Sequence, residues 1–139
     1  MNRPVSSQTT AVESLAAKGT SQSCPIDQKT LDGIRALENE GASNLLNELI
    51  GIYLNESPKL IRDLEKAIIR TDAAALQKAA HSLKSISGHM GALSLAALCK
   101  ELETMGRVKR MEGVAGVLSK TAKEYERVVA ALKIEFQQE

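Results

Sequence analysis

Apolar residues recur every three or four positions along most of this chain, which is the spacing of amphipathic helices. Four long segments carry the pattern, over about residues 44–70, 73–89, 92–105 and 111–136, and a shorter segment precedes them at about 28–40. No stretch shows the two-residue alternation of a strand. Short connections between amphipathic helices make neighbours antiparallel. The pattern therefore predicts an all-α fold, an antiparallel up-down four-helix bundle with an additional short N-terminal helix.

Turn and cap residues mark the boundaries of the first two helices. Asp27 is a suitable N-cap for the short first helix, Gly41 ends it, and Ser43 can cap the second. Pro58, after Ser57, either begins a new helix at its first turn or lies inside one long helix and kinks it. Because the apolar positions keep one phase across Pro58, we expect a single kinked helix or a very tight junction.

The first residues differ from the rest in composition. Residues 1–24 are rich in Ser, Thr, Ala and Gln without apolar periodicity, so we predict a flexible tail or interdomain linker there and the bundle over residues 25–139. This leader lacks the apolar core of a signal peptide, and no apolar run approaches the roughly 20 residues that span a bilayer. We therefore expect a cytoplasmic protein without direct membrane contact, with Cys24 and Cys99 as free thiols.

Charge and motifs exclude several classes of function. With 18 basic and 17 acidic residues, the chain lacks the basic excess of nucleic-acid binding proteins. Phosphate-binding loops and the nucleophile elbow are absent from the sequence. Glu101 and Glu103 point about 200° apart on a helix and are interpreted as solvated. His81 and His89 lie about 12 Å apart along a helix and cannot share a metal ion. We expect no autonomous enzyme and no cofactor in the chain.

His81 lies on the polar side of the third helix. At about 100° per residue, its face also holds Gln77, Lys84, Ser85 and Gly88, opposite the apolar stripe. A histidine of the core would lie with the leucines, so this one is expected to face solvent. Glycine within a helix costs about 1 kcal/mol relative to alanine. The close approach of another molecule is one reason to keep a glycine at position 88.

Positive charge lies beside His81. Lys78 precedes it by three residues, and Lys84 follows it by three. An exposed imidazole next to a lysine and small residues can accept a phosphoryl group, and the ammonium favours the resulting dianion. Since the chain supplies no nucleotide site, the activated phosphoryl group must come from a partner. His89, at the end of the same helix, is interpreted as structural, interacting with the last carbonyls.

The stretch from Ala80 to Glu103 resembles the histidine-containing phosphotransfer domain of multistep two-component signalling, often called the HPt domain. It matches the pattern AHxLKxxSxxxGAxxLxxxCxxLE without gaps. The matching residues are Ala80, His81, Leu83, Lys84, Ser87, Gly91, Ala92, Leu95, Cys99, Leu102 and Glu103. The upstream segment LLNELIGIYLNESPKLIRDLEKAI is similar to the helix that precedes the histidine helix in this family. The resemblance covers about residues 25–137.

The resemblance implies a phosphorelay intermediate on a four-helix bundle with an extra N-terminal helix. His81 would accept a phosphoryl group from an aspartate of one receiver domain and pass it to an aspartate of another, assisted by Lys84. The receiver would hold the Mg²⁺ that the transfer needs, and the family implies a monomer. Gly91 would lie where helices pack closely. The residues expected at the surface where the receiver docks are Gln77, Lys78, Ser85 and Gly88.

Several interpretations stay open beside this one. Ser85 stands where the family usually has glycine, which bears on partner choice. The chain is either a stand-alone protein or the C-terminal domain of a hybrid sensor kinase. The phosphoacceptor segment of a histidine kinase usually has an acidic residue directly after the histidine, but Ser82 follows here, and no proline occurs after Pro58. A helical module that docks a response regulator without phosphate chemistry would lack His81 or Lys84, and both are present.

Overall fold

The computed structural model describes residues 24–39, 41 and 44–137, and these residues form five helices without a strand. The helices are α1 (Gln28–Asn39), α2 (Leu45–Ile69), α3 (Ala73–His89), α4 (Leu93–Arg107) and α5 (Val114–Gln137). The predicted all-α class is therefore confirmed. None of these helices is long and apolar enough to cross a membrane. The tail predicted over residues 1–24, apart from Cys24, and the cap predicted at Ser43 lie outside the described residues.

The four longer helices pack around one core in the order of the chain. α2 contacts α3, α3 contacts α4, α4 contacts α5, and α5 returns to α2, which closes the ring. Residues 70–72 and 90–92 join the first three of them, and connections this short make neighbours antiparallel. α1 packs against α2. The predicted up-down bundle with an additional N-terminal helix is confirmed.

α2 runs without interruption through Pro58, so the single-helix prediction is confirmed and a new helix at Pro58 is wrong. A proline inside a helix removes one backbone N–H from the hydrogen-bond ladder. Packing offsets this loss, because the neighbouring Ser57 is buried and its hydroxyl lies 2.8 Å from the hydroxyl of Tyr125 on α5. The start of α2 is capped from α1, where the Glu38 carboxylate accepts the Leu46 N–H at 2.8 Å.

The core combines aliphatic side chains with paired hydroxyl groups. Its largest fully buried side chains are Ile26, Leu31, Leu46, Ile50, Tyr53, Leu64, Leu76, Leu83, Leu95, Leu102, Val128 and Leu132. The Tyr53 hydroxyl on α2 lies 2.9 Å from the Ser87 hydroxyl on α3. Burial raises the pKa of Tyr53 far above its usual value and that of the Cys99 thiol to about 12, so both groups remain neutral.

α1 covers the turn between α3 and α4. The Asp27 N–H donates to the Gly91 carbonyl at 2.8 Å. Gly91 has a φ of +80°, and a Cβ there would lie 2.9 Å from the Cβ of Thr30. Because glycine alone tolerates both the positive φ and the close approach, the tight packing implied for Gly91 is confirmed. This contact fixes the end of α3 that follows the histidine.

Candidate functional site

Local capping sets where α3 begins, and the buried apolar stripe of this helix decides which face His81 occupies. The Asp72 carboxylate accepts the Ala75 N–H at 3.0 Å, an N-cap that starts the helix at Ala73. From that start, Leu76 and Leu83 point into the core, and the His81 side chain is 60% exposed. The bounds 73–89 and the outward direction of His81 are confirmed. The solvent-facing imidazole is the centre of the candidate site.

The register of α4 on α3 depends on Gly106. A Cβ at this position would lie 2.7 Å from the Ala73 carbonyl oxygen and 2.7 Å from the Gln77 nitrogen, so the two backbones are in direct contact there. The segment predicted over about residues 92–105 extends slightly further than expected, because α4 includes Gly106 and continues to Arg107. In antiparallel helices, one turn back along α4 lies opposite one turn forward along α3. Glu103 is therefore brought opposite His81.

Glu103 binds both predicted site residues at once. Its Oε2 lies 2.8 Å from His81 Nδ1, and its Oε1 accepts a hydrogen bond from Lys84 Nζ at 2.6 Å. The Glu103 side chain is only 13% exposed, and that of Lys84 31%. The interpretation of Glu103 as a solvated residue is wrong. The Lys84 ammonium, followed by the His81 ring, holds the pKa of Glu103 below its usual value against the opposing effect of burial.

This carboxylate selects which ring nitrogen of His81 can react. An ionised carboxylate only accepts hydrogen bonds, so a neutral imidazole beside it carries its proton on Nδ1. The lone pair then lies on Nε2, for which the described residues offer no hydrogen-bond partner. Lys84 adds a positive charge one helical turn away. The arrangement is an oriented nitrogen nucleophile beside a cation, open to a second molecule.

The predicted docking residues divide into two groups. Gln77 is half-buried beside Gly106 of α4, so it belongs to the helix contact more than to the open surface. Lys78 is exposed, and Ser85 is half-buried on the same face as His81. A Cβ at Gly88 would meet no atom within 4 Å, so the surface above it is open. That open surface is the space predicted from the small residues beyond His81.

Among the described residues, the other candidate groups form no hydrogen bond with His81, Lys84 or Glu103. His89 is the last residue of α3 and is exposed, and its proposed interaction with the helix end stays a prediction. Cys99 is buried and Cys24 exposed, both as free thiols. Within the described residues, no three His, Cys, Asp or Glu side chains are placed to hold a metal ion. The chemistry of the site thus rests on His81, Lys84 and Glu103.

The described residues thus place an exposed imidazole, oriented by a carboxylate and next to a lysine, on a four-helix bundle. Comparison with known families agrees, since the Hpt domain model matches residues 48–133, more than half of the chain. The chain belongs to the Hpt family of histidine-containing phosphotransfer domains. Its class is that of the phosphorelay intermediates.

Known proteins of this class are similar over much of the chain. Histidine-containing phosphotransfer protein 2 of Arabidopsis thaliana is 25% identical over 107 residues, covering 75% of this chain and 66% of the relative. Multistep phosphorelay regulator 1 of Schizosaccharomyces pombe is 22% identical over 89 residues, covering 64% of this chain and 30% of the relative. The chain therefore spans less than a third of one relative and about two thirds of the other.

A solved structure shares the fold. The crystal structure of histidine-containing phosphotransfer protein B from Pseudomonas aeruginosa PAO1 superposes with a TM-score of 0.75 at 27% identity. The match covers 85% of this chain and 99% of that protein. Nearly the whole of that protein thus has a counterpart in the bundle described above.

Proposed function

We propose that His81 is the phosphoacceptor of this Hpt domain and carries the phosphoryl group from one receiver-domain aspartate to another. The observation that supports this is the Glu103 carboxylate at 2.8 Å from Nδ1 of an exposed imidazole. It leaves the Nε2 lone pair as the nucleophile and holds the ring in one orientation. Positioning of this kind supplies much of the catalysis in phosphoryl transfer.

The transfer needs no added reactant. The Nε2 lone pair attacks the phosphorus of an aspartyl phosphate on the receiver, the N–P bond forms, and the P–O bond to the aspartate carboxylate breaks. The ring keeps its Nδ1 proton, which donates to Glu103, and becomes a phosphorylated imidazolium. Attack by the carboxylate of a second receiver reverses these steps. Since Nε2 already has its lone pair, no general base is required.

Lys84 has two roles in this proposal. Its ammonium has three N–H donors on a flexible stem, and one of them is used by Glu103. A second donor can reach the phosphoryl oxygens on His81, where the positive charge offsets the dianion. The Mg²⁺ belongs to the receiver in this proposal, because a phosphate with a few carboxylates is the usual ligand set of that ion.

The first test is transfer from receiver domains charged with acetyl phosphate, with the acid lability of the product measured. Wild-type protein should acquire an acid-labile label and His81→Gln should acquire none. His89→Gln is the matched control, because it removes the other exposed histidine of α3, and its label should persist. Equal labelling of His81→Gln and wild type would remove His81 from the mechanism. Binding of receivers without any label would favour the docking module instead.

A second test addresses kinase activity. Incubation with ATP alone should give no label, because the proposed donor is a receiver aspartate and not a nucleotide. Self-labelling on His81 would favour the phosphoacceptor segment of a histidine kinase. Monomeric state and cytoplasmic location stay predictions.

The open surface at Gly88 is tested by a larger side chain. Gly88→Leu should keep the helix content and slow the transfer, because the leucine would occupy the space that the receiver enters. Gly116→Leu on α5 is the control, since a Cβ there also meets no atom within 4 Å. An unchanged rate in Gly88→Leu would show that the partner does not cover this position.

A further inference from the structure

The exposed charged side chains beside His81 on α3 and α4 are all basic, whereas Asp63 of α2 and Asp72 before α3 line the same depression as Lys78. α3 contains no Asp or Glu. On α4 the only acids are Glu101 and Glu103, and Glu103 is largely buried between His81 and Lys84. Glu101 lies about 200° around α4 from Glu103 and so faces away from α3. No acidic side chain of either helix is therefore exposed beside the histidine.

Exposed cationic side chains of α3 and α4 lie near His81. On α4, Lys100 precedes Glu103 by three residues and Arg107 follows it by four, which places both on the side of the helix that faces His81. They lie about 4.5 and 6 Å from Glu103 along the axis. Lys78 lies one turn before His81 on α3. All three side chains are exposed, and among the described residues none has a carboxylate within 4.0 Å.

We propose that Lys78, Lys100 and Arg107 form a cationic rim that attracts the acidic, phosphorylated face of a receiver domain. This inference rests on the proposed function of His81 and names the surface feature by which its partner is recognised. The whole chain has a net charge of only +1, so the rim is a local concentration of charge and not a consequence of a basic protein. Such local fields raise association rates.

The chemistry of the phosphoryl donor favours a receiver domain as the partner that binds the cationic rim. An aspartyl phosphate is an anion, and the Mg²⁺ beside it is held by further carboxylates, so the face presented to His81 is acidic. A standard interface buries roughly 800 Å² per partner, a disc of roughly 16 Å radius. Centred on His81, such a disc covers all three rim residues. A rim that surrounds the reacting nitrogen fits a partner that must be centred on His81. An anionic membrane or a nucleic acid has no such requirement.

The test compares two triple variants with equal change in charge. The rim variant carries Lys78→Gln, Lys100→Gln and Arg107→Gln. The control variant carries Lys120→Gln, Lys123→Gln and Lys133→Gln, which are exposed residues of α5, a helix that packs on α2 and α4. The second-order rate constant of transfer from a receiver charged with acetyl phosphate is measured at about 20 mM and about 500 mM NaCl, where screening differs greatly.

The rim variant should transfer about tenfold more slowly than wild type at low salt, and the difference should largely vanish at high salt. The limiting rate at saturating receiver should stay unchanged, because the rim acts on encounter and not on the reacting atoms. The control variant should behave as wild type. A rim variant as fast as wild type, or a control variant equally slow, would overturn the rim while leaving the role of His81 intact.

Failure of the proposed function gives a different result. If no receiver labels wild type, or if His81→Gln is labelled equally, the proposed phosphoacceptor role of His81 is wrong. The proposal of the cationic rim, which rests on that role, is then wrong as well. Binding to vesicles of anionic lipid is measured in parallel for both triple variants. If the rim variant loses vesicle binding while its transfer rate is unchanged, these cations bind a membrane, and the proposal that they bind a receiver is wrong.

Discussion

Gly106→Ala tests the contact that places α4 against the histidine helix. The added Cβ would lie 2.7 Å from both the Ala73 carbonyl oxygen and the Gln77 nitrogen, whereas ordinary contact begins at 3.4 Å. These neighbours are backbone atoms of a helix and cannot rotate away. α4 must therefore shift outward by about 0.7 Å to accept one methyl group.

The energetic cost follows from two opposing terms. Overpacking of this kind costs about 1–3 kcal/mol, and replacing a helical glycine by alanine returns about 1 kcal/mol. We expect Gly106→Ala to lower the free energy of unfolding by up to about 2 kcal/mol. Gly88→Ala is the matched control, because its Cβ meets no atom within 4 Å. Only the propensity term applies there, so this variant should be more stable by up to about 1 kcal/mol.

Urea unfolding followed by circular dichroism measures both variants against wild type. The two alanine substitutions should change stability in opposite directions, although each makes the same chemical change within a helix. Gly106→Ala at or above wild-type stability would refute the close contact of α3 and α4. Because Glu103 lies one turn from Gly106, this variant should also transfer the phosphoryl group more slowly, whereas an unchanged rate would show that the Glu103 side chain absorbs the shift.

Three further predictions address the site and the core. Glu103→Gln should slow transfer at least about tenfold, since a charge-assisted hydrogen bond contributes about 1.5–3 kcal/mol. NMR should show His81 losing its single Nδ1–H tautomer, and an unchanged rate and ring spectrum would exclude a positioning role. Because the pKa of Glu103 is lowered in the folded protein, its ionised form adds stability above about pH 4.3 that is lost as the pH falls further. The difference in stability between wild type and Glu103→Gln should therefore shrink in acid, and a constant difference would contradict the assignment. Tyr53→Phe should lower the free energy of unfolding by about 1–3 kcal/mol, because it leaves the Ser87 hydroxyl buried without its partner. Adding Ser87→Ala should recover part of this stability, and no recovery would show that the hydroxyl pair is not the cause.

Local signals were sufficient to predict the fold and the histidine helix. The periodicity of apolar residues depends only on which side of a helix faces a core, so it gave the five helices and the antiparallel order. Asp72 and Gly91 act within a turn of the ends of α3, by capping and by a positive φ. The bounds of α3 could therefore be predicted from local signals, and the apolar stripe gave the outward direction of His81, both without knowledge of any other helix.

Features that depend on two helices could not be predicted in this way. Glycine commonly follows the last residue of a helix, and the segment predicted over about residues 92–105 stops just before Gly106. This glycine nevertheless lies within α4 and packs against the backbone of α3. Glu103 was interpreted as solvated for a similar reason. Its sequence neighbours do not show which α4 side chain will lie opposite His81, because the relative register of α3 and α4 decides this.

One register between α3 and α4 accounts for most of what the site does. Contact at Gly106 brings Glu103 opposite His81, which orients the imidazole. The same rotation of α4 turns Lys100 and Arg107 towards the face at which we propose that a receiver docks. Orientation of the nucleophile and the local positive charge are therefore consequences of a single helix contact. Changes at that contact should alter stability, transfer rate and salt dependence together. Changes on the exposed face of α5 should alter neither the transfer rate nor its salt dependence.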